Sequence, residues 1–319
     1  MSLFEACQKA NIDQIKSLIK QQCNIEQVDD QGRTALHYCY DHENIDCARI
    51  LLENDLVKKS ILNIQDNEGY SALNLACLGI LKKLIDCNVD VNCVDEQKRT
   101  PFIWAASGGA IDALRILYKA GANPLHVDKD SLTALHCAAT RGHASCSRML
   151  LEIYDCPIEG EDINGCTALF YAISLKHSDV SQILLDLRAN TNHQDNRGRT
   201  PSHCATLNGN IDCLKQLIKY NANIWIKNKR GDYPVHEAVN AISLSKVQHD
   251  TDEYLQLQTE CCDIVRYIFK LYPKKVNIRN GENRTSLHLA ASVGDIAMCK
   301  ILIECGARVN SFIQTTAVS

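Results

Sequence analysis

Polar and apolar positions in this chain alternate in a long rhythm, and residues 128–162 give its cleanest instance. Asp128 opens a polar turn, the kind of place where an aspartate side chain binds backbone two residues on. Thr133 heads the run Ala134-Leu135-His136-Cys137-Ala138-Ala139. A threonine followed three residues later by a histidine that can bond back predicts a capped helix start. Gly142 predicts the end of that helix, and Met149, Leu150 and Leu151 supply the apolar stripe of a second one. Ala138 and Ala139 are small enough to let neighbouring helices approach closely. One such helix pair cannot bury its own stripe, so units of this kind must stack.

The same phrase returns along the chain. It reads Gly32-Arg33-Thr34-Ala35-Leu36-His37, then Thr100-Pro101-Phe102-Ile103-Trp104-Ala105-Ala106, Thr167-Ala168-Leu169-Phe170-Tyr171-Ala172 and Thr200-Pro201-Ser202-His203-Cys204-Ala205. Tyr233-Pro234-Val235-His236-Glu237-Ala238 and Thr285-Ser286-Leu287-His288-Leu289-Ala290-Ala291 complete the series. Counting from Met1 through Thr34, Ser71, Thr100, Thr133, Thr167, Thr200, Tyr233 and Thr285, most intervals are 33 or 34 residues. A fixed period of this length identifies stacked supersecondary units. Two intervals depart furthest from it. The unit from Ser71 is about four residues short, as though the turn between its helices were cut away, and the unit from Tyr233 carries about 19 extra residues near 240–260. Insertions of this kind map to loops or lengthened helices and often border a binding face.

The phrase resembles the Thr-Pro-Leu-His-x-Ala-Ala core of the ankyrin repeat, and the resemblance covers nearly the whole chain. It implies an all-α repeat solenoid, an ankyrin stack of about nine units with short β-turn or hairpin tips. The expected domain runs over residues 1–310, with units starting near 1, 34, 71, 100, 133, 167, 200, 233 and 285, and 311–319 forms a tail. The resemblance also implies a modification. In ankyrin proteins the asparagine that closes an Asp-Val-Asn turn can be hydroxylated, favoured by a leucine eight residues earlier. Asn92, with Leu84 upstream, and Asn310, with Leu302 upstream, match that pattern. The simpler role for each is to close its turn by side-chain hydrogen bonding.

Composition narrows the function. The chain is 45% hydrophobic with a formal net charge of −4, which supports a folded protein and argues against a nucleic-acid binder. No run of 18 apolar residues predicts membrane insertion. The first repeat begins at once, which leaves no signal peptide and points to an intracellular chain. Of the 17 cysteines, Cys47, Cys146 and Cys213 share one slot on the second helix, and Cys39, Cys77, Cys137 and Cys204 fall in or beside the alanine slots. Those are positions for small buried hydrophobes, and no Cys-x-x-Cys pair occurs, so the expectation is reduced structural thiols and no metal. His37, His136, His203, His236 and His288 are assigned to helix capping. Phosphate loops, nucleophile elbows and paired carboxylates are absent, so no catalytic residue and no cofactor are expected.

What remains is a binding protein. The expectation is a non-enzymatic, monomeric scaffold or adaptor that holds one or more proteins on its concave face and turn tips. The alternative is the regulatory or targeting portion of a larger enzyme, ubiquitin-ligase or channel assembly. The cytoplasm is the expected compartment; nucleus is an alternative, and so is cilium, because Gly32–Thr34 and Arg99–Ala106 are similar to repeats of ciliary scaffolds. Candidate contact residues are Trp104 in the slot after the histidine position, His42 and Arg141 beyond the alanines, and Trp225, expected to be exposed on a closing turn. Charge along the tips supplies the rest. Early tips are acidic or neutral, whereas Arg197, Arg199, Lys227, Lys229, Arg230, Arg279 and Arg284 make the late tips basic. Lys227, Lys229 and Arg230, with the adjoining insertion, are expected to dock an acidic partner segment.

Overall fold

The computed structural model describes residues 2–41, 45–53, 62–75, 78–87, 89–244 and 252–310. Its contacts divide the chain into two compact units, Met1–Pro157 and Ile158–Ser319. In the first unit the helices are α1 (Leu3–Gln8), α2 (Ile12–Lys20), α3 (Ala35–Asp41), α4 (Ile45–Leu52), α5 (Ala72–Leu75), α6 (Leu78–Asp86), α7 (Pro101–Ser107), α8 (Ile111–Lys119), α9 (Ala134–Thr140) and α10 (Ala144–Glu152). The second holds α11 (Ala168–Ser174), α12 (Ser178–Asp186), α13 (Pro201–Leu207), α14 (Ile211–Lys219), α15 (Pro234–Leu244), α16 (Asp252–Leu271), α17 (Ser286–Val293) and α18 (Ile296–Glu304). Within each unit the first helices of successive repeats pack side by side in one layer and the second helices in another.

Local chemistry dictates each pair. Thr133 adopts an extended conformation, its hydroxyl accepts from the His136 backbone N–H, and His136 Nδ1 accepts in turn from the Thr133 N–H at 3.1 Å. Such a reciprocal cap contributes about 1 kcal/mol. The same backbone bond to Nδ1 occurs for His37, His203, His236 and His288, so all five histidines do what the sequence assigned them. The opposite ring nitrogen reaches the next repeat: His37 Nε2 bonds the Tyr70 carbonyl and His203 Nε2 the Asp232 carbonyl. These two caps therefore also tie one repeat to its successor.

The core consists of the predicted stripes. Leu135, Ala138, Ala139, Cys146 and Leu150 are buried in the first unit, as are Leu214, Leu217 and Cys213 in the second. Cys39, Cys47 and Cys204 are likewise buried and unpaired; Cys137 is half-buried, and Cys77 lies outside the described residues. Burial pushes the Cys146, Cys204 and Cys261 thiols up to about 12, so they stay protonated and act as small hydrophobes.

The two irregular repeats resolve differently from one another. In the short one α5 covers Ala72–Leu75 and α6 begins at Leu78; residues 76–77, where the expected shortened turn falls, lie outside the described residues. In the long one the extra residues lengthen helices on both sides. α15 runs to Leu244, and α16 already begins at Asp252, well inside the insertion; 245–251 lie outside the described residues. The early turns of α16 are tied down. Glu260 pairs with Lys176 at 2.6 Å, and Gln258 donates to Asp295 at 2.9 Å. Gly209, at φ +67°, lies where a Cβ would come within 2.6 Å of Glu260 Oε2, so this approach needs glycine.

Candidate partner-binding site

One geometry repeats at eight tips. The first oxygen of Asp29, Asp66, Asp95, Asp128, Asp162, Asp195, Asn228 and Asn280 accepts the backbone N–H groups two and four residues on. At Asp95 these bonds come from Gln97 and Arg99, at 2.9 and 2.8 Å. At Asn228 they come from Arg230 and Asp232, at 2.9 and 3.0 Å. At Asn280 they come from Glu282 and Arg284. The backbone needs only an acceptor oxygen there, so aspartate and asparagine serve equally. Their second atoms differ. Six tips present a carboxylate oxygen, and the last two present an amide N–H₂.

Partners follow that difference. In the slot nine residues on, Tyr38 and Tyr171 donate their hydroxyls to the second oxygens of Asp29 and Asp162, and Trp104 Nε1 donates to Asp95 at 2.9 Å. Burial alone would raise the Asp162 carboxyl, but the Tyr171 hydroxyl and the backbone donors outweigh it and hold the group below its usual range. At Asn228 the pair is inverted: the amide donates to Glu237 Oε1 at 2.8 Å. A second, inter-repeat contact inverts as well. Arg33 and Arg99 reach forward to the next tips, Asp66 and Asp128, at 3.5 and 3.6 Å. Arg199, whose next tip is Asn228, instead folds back on its own Asp195, with two nitrogens at 2.8 Å. In the following repeat the position is Asp232, which accepts from Asn280 at 2.7 Å.

The result is a groove of about 460 Å³ flanked by Arg197, Arg199, Lys229 and Arg230, with Leu207 and Glu237 lining its sides. Glu237 is only 2% exposed, and burial pushes its carboxyl above the ordinary glutamate range against the pull of Arg230. Asp195 and Asp232 are buried too, while Arg197, Lys229 and Arg230 face solvent. The exposed charge here is cationic because the anions are covered. Gly231, at φ +78°, brings this tip against the next: a Cβ there would meet Gly281 Cα at 2.5 Å.

Placement of the predicted residues is mixed. Lys227, Lys229 and Arg230 share one exposed tip, with Lys227 5.2 Å from the Tyr233 ring centroid. Trp225 is half-buried rather than exposed. It packs edge-on against Tyr233 and Tyr272, and Lys275 lies over its ring at 5.5 Å. Trp104 is half-buried, held by Asp95, by the Tyr70 ring at 5.4 Å and by Arg99 at 5.2 Å, so its indole is spent on packing between repeats. Arg141 is exposed, as the C-cap of α9. His42 lies outside the described residues. Asn92 is exposed with both side-chain atoms engaged: its oxygen accepts from Asn123 N–H at 2.8 Å and its amide donates to the Gly121 carbonyl at 3.1 Å. Asn192 and Asn277 close turns in the same way, and Asn310 is exposed. Glu237, Asn228 and Asn280 were missed as determinants. Writing the eight tip residues in one column would have shown the change from aspartate to asparagine.

Stacked, capped helix pairs with one tip geometry throughout define a repeat class built for binding surfaces rather than enclosed sites. Family models described as ankyrin repeats in three copies match residues 3–79, 76–159, 119–195, 153–228 and 187–255, and a single ankyrin repeat matches 282–313. The chain belongs to the ankyrin-repeat family, an all-α repeat solenoid whose repeats are protein–protein interaction modules. It is 29% identical to human inversin over 229 residues, 70% of this chain and 20% of that protein. It is 30% identical to the ankyrin repeat and KH domain-containing protein mask-1 of Caenorhabditis elegans, over 59% of this chain and 7% of that one. The palmitoyltransferase AKR1 of Lachancea kluyveri is 29% identical over 56% of the chain and 26% of its own length. The chain thus spans about a quarter or less of each of these three relatives. Among the described residues no helix is long and apolar enough to cross a membrane.

Proposed function

We propose that this chain is a non-enzymatic adaptor, and that the tip carrying Lys227, Lys229 and Arg230 docks an acidic segment of a partner protein. The observation that carries this reading is the burial of Asp195, Asp232 and Glu237 beneath exposed cations, which leaves a one-signed surface at two consecutive tips. Such a surface steers an acidic partner and raises its association rate. The cytoplasm is the compartment we propose, with the nucleus or a cilium as alternatives. A second reading, the targeting portion of a larger assembly, is favoured by the small share of each relative that the chain spans.

The test is kinetic. With a partner isolated on the wild-type chain, reversal of Lys227, Lys229 and Arg230 to Glu slows association in low salt by roughly tenfold or more. The melting temperature stays nearly unchanged, because exposed charges contribute little to folding. Association at the wild-type rate in low salt would remove the tip from the docking surface.

A further inference from the structure

We propose that the groove between the tips at 195–199 and 228–232 is a pocket for one carboxylate or phosphate group carried by an extended acidic peptide, with Glu237 as an internal competitor for Arg230. This rests on the adaptor reading above and specifies the chemistry that its basic tip takes.

The four cations of the groove are not equivalent. Arg199 is committed to Asp195 through two 2.8 Å contacts and forms a fixed wall. Arg230 is held more loosely, 3.3 Å from Glu237 and 3.6 Å from Asp232, and its side chain is 60% exposed. Arg197 and Lys229 have no carboxylate within ion-pair distance among the described residues. An incoming anion therefore meets two unpaired cations and one whose present partner can be exchanged. Charge-assisted bonds to guanidinium groups are the stronger kind of hydrogen bond, so the exchange is favourable where the newcomer has better geometry than 3.3 Å. Leu207, half-exposed in the groove wall, provides apolar surface for the aliphatic stem of the ligand's acidic side chain.

The substitution pattern explains why the pocket occurs here. Were residue 228 an aspartate, its second oxygen would offer Arg199 the forward contact that Arg33 and Arg99 make, and its charge would oppose an anionic ligand. An amide at 228 removes both effects and leaves the backbone turn intact. On the far side of Arg230 the neighbouring groove is lined by Asp232, Asn280, Glu282 and Arg284. There acidic and basic groups are balanced and Arg284 is already paired with Glu282, so the anion seat is confined to the first groove.

Binding of a fluorescein-labelled peptide of alternating Glu and Gly, read by anisotropy, tests this, with Gln–Gly and phosphoserine–Gly peptides as comparison arms. The full chain binds the Glu or phosphoserine peptide more tightly than the Gln peptide, and the tighter of the two names the source of the anion. Glu237→Gln keeps an oxygen for the Asn228 amide and removes the competitor, so affinity for the acidic peptide rises roughly two- to fivefold. Arg197→Ala, on an exposed tip, lowers it by a similar factor and carries the test if Glu237→Gln lowers the melting temperature. Equal binding of all three peptides, or an affinity that Glu237→Gln leaves unchanged or weakens in a folded protein, overturns the pocket. If the triple reversal of 227, 229 and 230 still slows the partner while Arg197→Ala and Glu237→Gln do nothing, the adaptor reading stands and the pocket falls.

Discussion

The tip at Asp95 and the tip at Asn228 have the same backbone and opposite chemistry. At Asp95 the acceptor belongs to the turn and the donor, the Trp104 indole, to the helix. At Asn228 the turn donates and the helix, through Glu237, accepts. Forward contacts differ in the same sense, with Arg99 reaching Asp128 in one case and Asp232 receiving Asn280 in the other. A repeat can thus exchange donor for acceptor at both of its polar contacts without losing either, because the turn requires only an oxygen. What changes is the electrostatic outcome. The turn residue carries no charge at 228, the carboxylates beside it are buried just as Asp95 is at the first tip, and the exposed side chains of the second tip are cationic.

The most severe way to disturb either tip is to remove the core beneath it. Leu150 is fully buried in the first unit, and Leu150→Asp should cost on the order of 3–5 kcal/mol as an unpaired buried charge. Since repeats couple mainly to neighbours, hydrogen exchange should rise around α8–α10 first, while the Asn228 tip keeps its protection. Uniform loss of protection through residue 310 would contradict that division.

Acid should weaken the second unit through two of its histidines. Burial lowers His203 and His236 to about 4 from an ordinary value near 6.5. For a base held neutral by folding, the stabilisation is complete above the unfolded pKa and is lost as pH falls from about 6.5 to about 4. Linkage makes this on the order of 2–3 kcal/mol for each histidine. Both face charged neighbours: Arg199, Asp195 and Asp232 for the first, Asp232 and Lys227 for the second. Urea unfolding of the second unit at pH 7 and pH 4.5 should show the loss, and His203→Gln with His236→Gln should flatten it. An acid limb unaffected by both substitutions would assign the pH dependence elsewhere.

Much of this architecture was legible beforehand, because period, cap and stripe are local signals. Thr133, His136, Gly142 and Leu150 each sit where the phrase placed them. Trp225 was misjudged because its burial depends on Tyr272, 47 residues later and beyond the insertion. Trp104 looked like a free anchor because its partner, Asp95, lies on the tip rather than in the helical phrase. Net charge along the tips did reveal the basic region. The asparagines at 228 and 280 stand in the sequence too; what they exchange, donor for acceptor against Glu237 and Asp232, depends on contacts made through the fold.

The inversion itself is best tested by a double-mutant cycle at Asn228 and Glu237, followed by urea unfolding. Asn228→Asp alone sets two carboxylates against each other in a buried contact and should cost about 1–2 kcal/mol. Adding Glu237→Gln restores a donor facing an acceptor, now in the orientation of the Asp95–Trp104 pair. The account predicts that the double variant recovers most of the loss, a coupling of about 1 kcal/mol or more. Effects that simply add, to within about 0.3 kcal/mol, would contradict the claim that these two residues form one inverted copy of the tip contact.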